Sequence, residues 1–374
     1  MNLILPTHRR KTTIMNKRHV KTIITVVVLL WTMLPLQAQT TQNDTIQRDT
    51  TTHQGGTTTH QGGTKRRKIP RWLHKIDSFL VAKYSRVTYD TAYIRRPKSR
   101  LTLKMRGNIS GSAFHVKGRQ GGYEGRANIS TDVKTTMSVG ITYCGISVGL
   151  ALNPGKLFGH YNDYELNINA YGNRFGIDAA YQSSTTLSGT VTINGLDYFM
   201  GKDVIDMKVF SLNAYYAFSG RRFSYPAAFT QSYIQKRSAG SWLVGLSYLG
   251  GSIKAGEKKP EDMPDYRIYV GHLGIGGGYG YNFVLGRHWL IHISALPTLV
   301  ISNHNNITED GERRRMTTKF PDVILAERSA IVYNFSEKYF AGATLVMTNS
   351  LMRGQDIAIN YFKWRARFSF GMRL

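Results

Sequence analysis

Cysteine is almost absent. Cys144 is the single one in 374 residues, so no disulfide can close within the chain, and no cluster of Cys and His has zinc spacing. Acids are scarce as well, 23 against 49 Lys and Arg, for a formal charge of +26. Paired carboxylates at a spacing suited to acid–base chemistry are not evident. Beyond residue 38 no apolar run reaches the roughly 20 residues that a membrane-spanning helix needs. A disulfide scaffold, a zinc module and a helical membrane protein are thereby excluded, and no metal or cofactor is expected. What is plentiful is aromatic and small: 22 Tyr, 37 Gly and an aromatic content of 11%. That mixture favours strands and turns over helices.

The N-terminus has the layout of a secretory signal. From Met15 the basic Lys17, Arg18 and Lys21 precede a short apolar run, Ile23 to Leu36, which ends in Leu36-Gln37-Ala38. Cleavage before Gln39 would follow the small Ala38, and the alternative is a retained N-terminal anchor. Met15 reads as the initiator and residues 1–14 as an upstream start. No cysteine stands at the cleavage point, which argues against a lipoprotein. Loss of residues 1–38 removes Arg9, Arg10, Lys11, Lys17, Arg18 and Lys21 and leaves a charge of about +20. So basic a chain implies an anionic partner, but export leaves no occasion to meet nucleic acid. Membrane lipid, lipopolysaccharide phosphates or an anionic solute fit better, against the bland reading of simply solvated charge.

Four segments follow. Residues 39–68 contain the tandem repeat "TTTHQGGTTTHQGG" and the basic run Lys65 to Lys68, a composition that cannot bury enough surface to offset ordering entropy and predicts a disordered tether. His53 and His60 in such a repeat are weak metal ligands. Residues 69–99 open with Trp72, Leu73, Ile76, Phe79 and Leu80 at helical spacing, which predicts a short amphipathic helix from about Arg71 to Tyr84, packed on the body or lying at a membrane surface. From 100 to 374 the apolar period becomes two.

Strands are expected at 101–105, 137–143, 146–152, 164–171 and 175–181, then near 206–218, 240–251, 267–283, 288–302, 322–334, 338–350 and 361–374. Two folds suit such a series, a soluble exported sandwich that binds through its basic face and a transmembrane barrel. The connections separate them. Short turns fall at Cys144-Gly145, Gly172-Asn173, Leu285 to Arg287 and Phe335 to Lys338, while the intervening loops are long and polar, as in "NPGKLFGHYND", "AGEKKPEDMPD" and "NHNNITEDGERRRMTTKF". That alternation is the wiring of outer-membrane barrels, and a sandwich has no reason to keep it. The expected fold is therefore all-β: an antiparallel transmembrane β-barrel of about 12 strands with a short N-terminal amphipathic helix.

The last segment, "YFKWRARFSFGMRL", places Phe362, Trp364, Ala366, Phe368 and Phe370 on one face and Lys363, Arg365, Arg367 and Arg373 on the other. It reads as the closing strand, with its cations lining the lumen as an anion-binding row. Its chain-terminal Leu374 stands where many such barrels carry an aromatic. Phe368 and Phe370 would serve instead for recognition by the outer-membrane assembly machinery.

One connection breaks the parity. Phe218 to Ser241 lies at the short-turn end yet is long, aromatic and basic, with Arg221, Arg222, Tyr225, Gln231, Lys236 and Arg237 as candidate binding residues. It reads as a lumen plug or a docking site for a periplasmic partner; an irregular hairpin or two miscounted strands is the bland alternative. The row Gly274, Gly276, Gly278 and Gly280 would let something bulky approach the wall. His292 and Ser294 share an inward face as a base and a nucleophile would, an arrangement similar to the His-x-Ser of outer-membrane phospholipase A. The sequence offers them no assured Asn or Asp orienter and no oxyanion donor, so a satisfied lumen histidine is the default.

Three stretches, "YDTAYI" at 89–94, "AYGNRFGIDAAYQ" at 170–182 and "FSYPAAFTQSYIQKRSAGSW" at 223–242, carry a wider likeness. Through them the mature chain resembles an uncharacterised family of outer-membrane barrel-like proteins of Bacteroides-related bacteria, domain of unknown function 4421. The resemblance implies the bacterial outer membrane and supplies no reaction. The function expected is passage or binding of anionic solutes through a cationic lumen, or a structural role in the envelope. The rival is an enzyme barrel acting on lipid or lipopolysaccharide through His292 and Ser294.

Overall fold

A computed structural model describes residues 78, 81–82, 87–120, 123–143, 146–152, 163–261, 265–309, 311–316, 321–354 and 357–374. The chain divides into Met1–Lys68 and Ile69–Leu374, and the description concerns the second unit. The expected signal, tether and amphipathic helix lie outside the described residues, except that Ser78, Val81 and Ala82 are helical.

Alternating apolar and polar side chains produce strands throughout. These are β1 (Ile94–Arg95), β2 (Leu101–Gln120), β3 (Tyr123–Ser130), β4 (Lys134–Tyr143), β5 (Ile146–Leu152), β6 (Tyr164–Tyr171), β7 (Phe175–Ser184), β8 (Ser188–Ile193), β9 (Leu196–Met200) and β10 (Ile205–Ala217). After a short helix, α1 (Tyr225–Phe229), come β11 (Ile234–Gln235), β12 (Ala239–Ala255), β13 (Tyr266–Leu285), β14 (Trp289–Asn303), β15 (Asn306–Glu309), β16 (Glu312–Arg315), β17 (Val323–Asn334), β18 (Tyr339–Arg353) and β19 (Ile357–Arg373).

Twelve of the described strands follow one another, all antiparallel, in the order β6, β7, β10, β12, β13, β14, β17, β18, β19, β2, β4, β5. Contacts across the interior show that this sheet is rolled. β7 and β17 are five ladder steps apart, roughly 24 Å in a flat sheet. Yet Asp178 on β7 meets Arg328 on β17 at 2.6 Å. Likewise Lys363 on β19 reaches Glu165 on β6 at 3.5 Å. The chain is an antiparallel β-barrel, and the sandwich alternative falls.

The outer wall is apolar. Along β12, Trp242, Val244, Leu246 and Tyr248 point outward while Ser241, Leu243, Ser247 and Leu249 are buried inside. Near the short-turn end the outward aromatics contact one another in pairs, among them Phe175–Tyr216, Trp242–Tyr279, Trp289–Tyr333 and Tyr339–Phe370. Outward aromatics gathered near one end are the pattern of a barrel's aromatic girdle. Tight turns close β6–β7, where Gly172 N donates to Phe175 O at 2.8 Å, and β13–β14, where Gly286 has φ +63°.

Beyond the long-loop end the strands run further than their sequence suggests. The first, expected over 101–105, extends to residue 120; its outer half pairs with β3, β3 with β8, and β8 with β9. The loop "NHNNITEDGERRRMTTKF" contains the hairpin β15–β16, which extends β13. The connection expected to be long after residue 350 is shorter, since β18 and β19 stay paired to Arg353–Ala358.

Candidate functional site

The parity-breaking connection enters the barrel. Ser224 caps α1 by accepting from Ala227 N at 3.3 Å, and Pro226 fits the first turn, where no N–H is needed. All five residues of the helix are buried. Its aromatics fill the lumen at the short-turn end: Tyr225 stacks near Tyr171 and tilts against Tyr215, and Phe223, Tyr225 and Phe229 all touch the His292 ring. The segment is a plug. The glycine row serves it as expected at one position, because a methyl added to Gly280 would lie 3.1 Å from Phe223 Cζ and 3.6 Å from Tyr225 Oη.

Outside the plug, the segment before the barrel acts as a clamp. Ile94–Arg95 pairs with Ile234–Gln235, Asp90 N donates to Arg221 O at 2.8 Å, and Lys236 N donates to Tyr93 O at 2.6 Å. Arg96 donates to Tyr233 Oη at 2.6 Å and lies over the Tyr89 and Tyr233 rings. Arg95 pairs with Glu337 of the β17–β18 turn, and that hydrogen bond holds the Glu337 carboxyl below the usual carboxylate range.

The basic and polar residues singled out from the sequence fall in three places. Arg221, Arg222, Lys236 and Arg237 sit exposed at the short-turn rim. There Arg222 meets Asp90 at 3.3 Å, Lys236 donates to Thr91 O, and both Arg222 and Arg237 lie over Tyr93. Tyr225, Gln231 and Arg373 are buried where plug meets wall; Gln231 donates to Ala228 O at 2.8 Å, and Arg373 reaches Asn334, Glu337 O and Gln231 O. Lys363, Arg365 and Arg367 face the lumen above the plug.

Among the described residues, three carboxylates of that lumen are each engaged by one cation. Asp178 binds Arg328 and also accepts from Tyr171. Glu165 binds Lys363 and accepts from Ser110 and Asn167. Asp163 binds Lys134 at 3.0 Å and accepts from Ser184 and Thr186. Arg106, Arg365 and Arg367 have no carboxylate in ion-pair range among the described residues. Arg367 has Asn108 at 2.7 Å, and all three are half-buried. Register brings them together: Arg367 stands opposite Asn108 and Ser369 opposite Arg106, so Arg106 and Arg367 are diagonal neighbours, with Arg365 two residues along. Toward the long-loop end lies an apolar layer that includes Phe114, Met207, Leu249, Ile324 and Tyr361.

His292 and Ser294 occupy the wall beneath the plug, and here sequence reasoning missed a partner. Asn282, paired with His292 in the β13–β14 register, places Oδ1 2.7 Å from His292 Nδ1. His292 Nε2 lies 2.9 Å from Ser294 Oγ. The hydrogens are fixed by a chain of groups that can only accept. Gln235 Nε2 donates to the carbonyls of Arg222 (2.6 Å) and Arg237 (3.0 Å), so Gln235 Oε1 must accept from Asn282. Asn282 Nδ2 supplies that bond and one to Ser224 O, which turns its Oδ1 toward His292. Nδ1 then carries the proton, and Nε2 accepts from the Ser294 hydroxyl. Among the described residues no three His, Cys, Asp or Glu side chains gather as a metal site would require.

A family model described as Domain of unknown function (DUF4421) matches residues 88–373. No curated protein matches the sequence. Among solved structures the chain is similar to the outer membrane protease OmpT from Escherichia coli, at 8% identity over 74% of this chain and 97% of that one, with a TM-score of 0.40. It is also similar to the translocator domain of the autotransporter NalP from Neisseria meningitidis (13%, 81% and 96%, TM-score 0.28). A third is the outer membrane protein OprG from Pseudomonas aeruginosa (12%, 73% and 96%, TM-score 0.23).

Proposed function

The chain belongs to the DUF4421 family, and on that premise we propose that it is an outer-membrane barrel that binds an anionic solute in a closed cationic lumen. One observation carries the reading: Arg106, Arg365 and Arg367 converge in the lumen with no carboxylate in ion-pair range among the described residues. Like charges adjacent on a ladder repel, and guanidinium groups hold phosphate, sulfate or carboxylate oxygens through directed pairs of N–H bonds. An anion would relieve the repulsion. The plug below and the apolar layer above favour binding over free passage. The outer belt would meet membrane lipid and lipopolysaccharide, and β19 would be the strand read by the assembly machinery.

Thermal unfolding of the purified protein in detergent tests this, with inorganic phosphate compared with chloride at matched ionic strength. A ligand that binds the folded state alone raises the unfolding temperature. Phosphate should do so for the native chain and not for the Arg365→Gln/Arg367→Gln variant. The same response in both, or no response to phosphate, sulfate or citrate, would remove the proposal.

A further inference from the structure

The Asn282–His292–Ser294 array does more than fasten the plug. We propose that it is an acyl-ester-cleaving centre, with Ser294 as nucleophile, His292 as general base and Asn282 as the residue that positions the imidazole, covered by the lid segment 223–230. The polarity is that of a nucleophile–base–orienter set, because the hydrogen-bond chain from the Arg222 and Arg237 carbonyls leaves Nε2 free to take the Ser294 proton. A network serving only to hold the plug has no need of a serine at the far nitrogen, where His292 already packs on three aromatic rings.

Two further groups fit the chemistry. Arg328 stands directly opposite Ser294 on the neighbouring strand, so a cation lies beside the carbonyl that Ser294 would attack. The Tyr225 hydroxyl is fully buried beside Ser294 and Arg328, and it borders the same Gly280 gap as Ser294. It is a donor at the place where an oxyanion would develop.

Geometry also sets the substrate class. With the lid withdrawn, the volume of the Phe223 and Phe229 rings is vacated among Leu243, Leu296, Ala326 and Ala330 of the same apolar cluster. The substrate is therefore a carboxylic ester with an apolar acyl group. Ser294 Oγ bonds to the carbonyl carbon as its proton passes to His292 Nε2. The ester C–O bond then breaks and the alcohol leaves with that proton. Water, deprotonated by the same nitrogen, attacks the acyl-serine, which releases the carboxylic acid and returns the proton to Ser294.

This centre is independent of the anion reading, since its test uses neither Arg365 nor Arg367. The full chain in detergent micelles is exposed to a fluorophosphonate probe and, separately, to p-nitrophenyl butyrate. The native chain should label slowly, and a Phe223→Ala/Phe229→Ala chain, its lid loosened, faster. Labelling should vanish in Ser294→Ala, and ester turnover should fall on the order of 10²–10⁴-fold in His292→Ala. Asn282→Asp should retain turnover and shift its pH profile, which a merely structural contact would not do. If the lid-loosened chain does not fold, prolonged incubation of the native chain decides, by the mass of the peptide bearing Ser294. A folded lid-loosened chain without an adduct, a native chain unlabelled after prolonged exposure, or labelling that survives Ser294→Ala, would overturn the proposal.

Discussion

Arg328 and Asp178 are the buried charges on which the interior turns. Both Nε and Nη2 of Arg328 donate to one Asp178 oxygen, at 2.9 and 2.6 Å, while Tyr171 donates to the other. Loss of one member strands the other charge in a dry interior. We expect Asp178→Ala to destabilise the folded barrel by on the order of 3–5 kcal/mol, with Asp178→Leu/Arg328→Met recovering most of the loss. Urea unfolding in detergent, followed by Trp fluorescence, measures both. A single variant as stable as the native chain would mean that water reaches the pair. At this scale the cationic row of β19 could be read directly, since alternation alone puts Lys363, Arg365 and Arg367 on one face. Their partners could not, because Glu165 lies 198 residues from Lys363 in sequence and meets it only across the lumen. Asn282 is an intermediate case. Once the three-residue turn Gly286 to His288 is granted, pairing of Leu285 with Trp289 puts Asn282 beside His292.

Two elements decide how the barrel is closed, the plug and the clamp that holds it. The plug was visible as a long aromatic connection where a short one was due. Its burial against β14 and β17 was not, since nothing local says into which side of the wall a connection folds. Strands β8 and β9 had a signal that went unused: Asn194-Gly195, both with positive φ, between alternating residues, the chemistry of a two-residue hairpin. β15 and β16 were hidden because their short, charged sequence is polar on both faces. The clamp should respond to acid. Arg95 lowers the Glu337 pKa, so the pair supports the folded state above the ordinary carboxylate range, and that support fades as pH falls through the depressed value. Both groups are largely exposed, so solvent screening keeps the effect small. The protection of the Ile94 and Lys236 amides, relative to their intrinsic exchange rates, should fall as pH drops below the ordinary carboxylate range. Glu337→Gln should show that lower protection already at neutral pH. Protection independent of pH and of Glu337 would show that strand pairing alone holds the clamp.

The whole molecule inverts the usual arrangement of a soluble protein. Apolar side chains line the outside in a belt with an aromatic girdle, and a cluster of charges lies within, between a plug and an apolar layer. That inversion was legible because it needs only the period-two pattern and the alternation of short and long connections. Closure of the interior was not, since it depends on contacts between strands far apart in sequence. The most direct measurement is heat-modifiability after membrane fractionation, with samples run on a gel unboiled and boiled. The account predicts a compact, fast-migrating band in the outer-membrane fraction that slows on boiling. A soluble chain whose migration ignores boiling would contradict it.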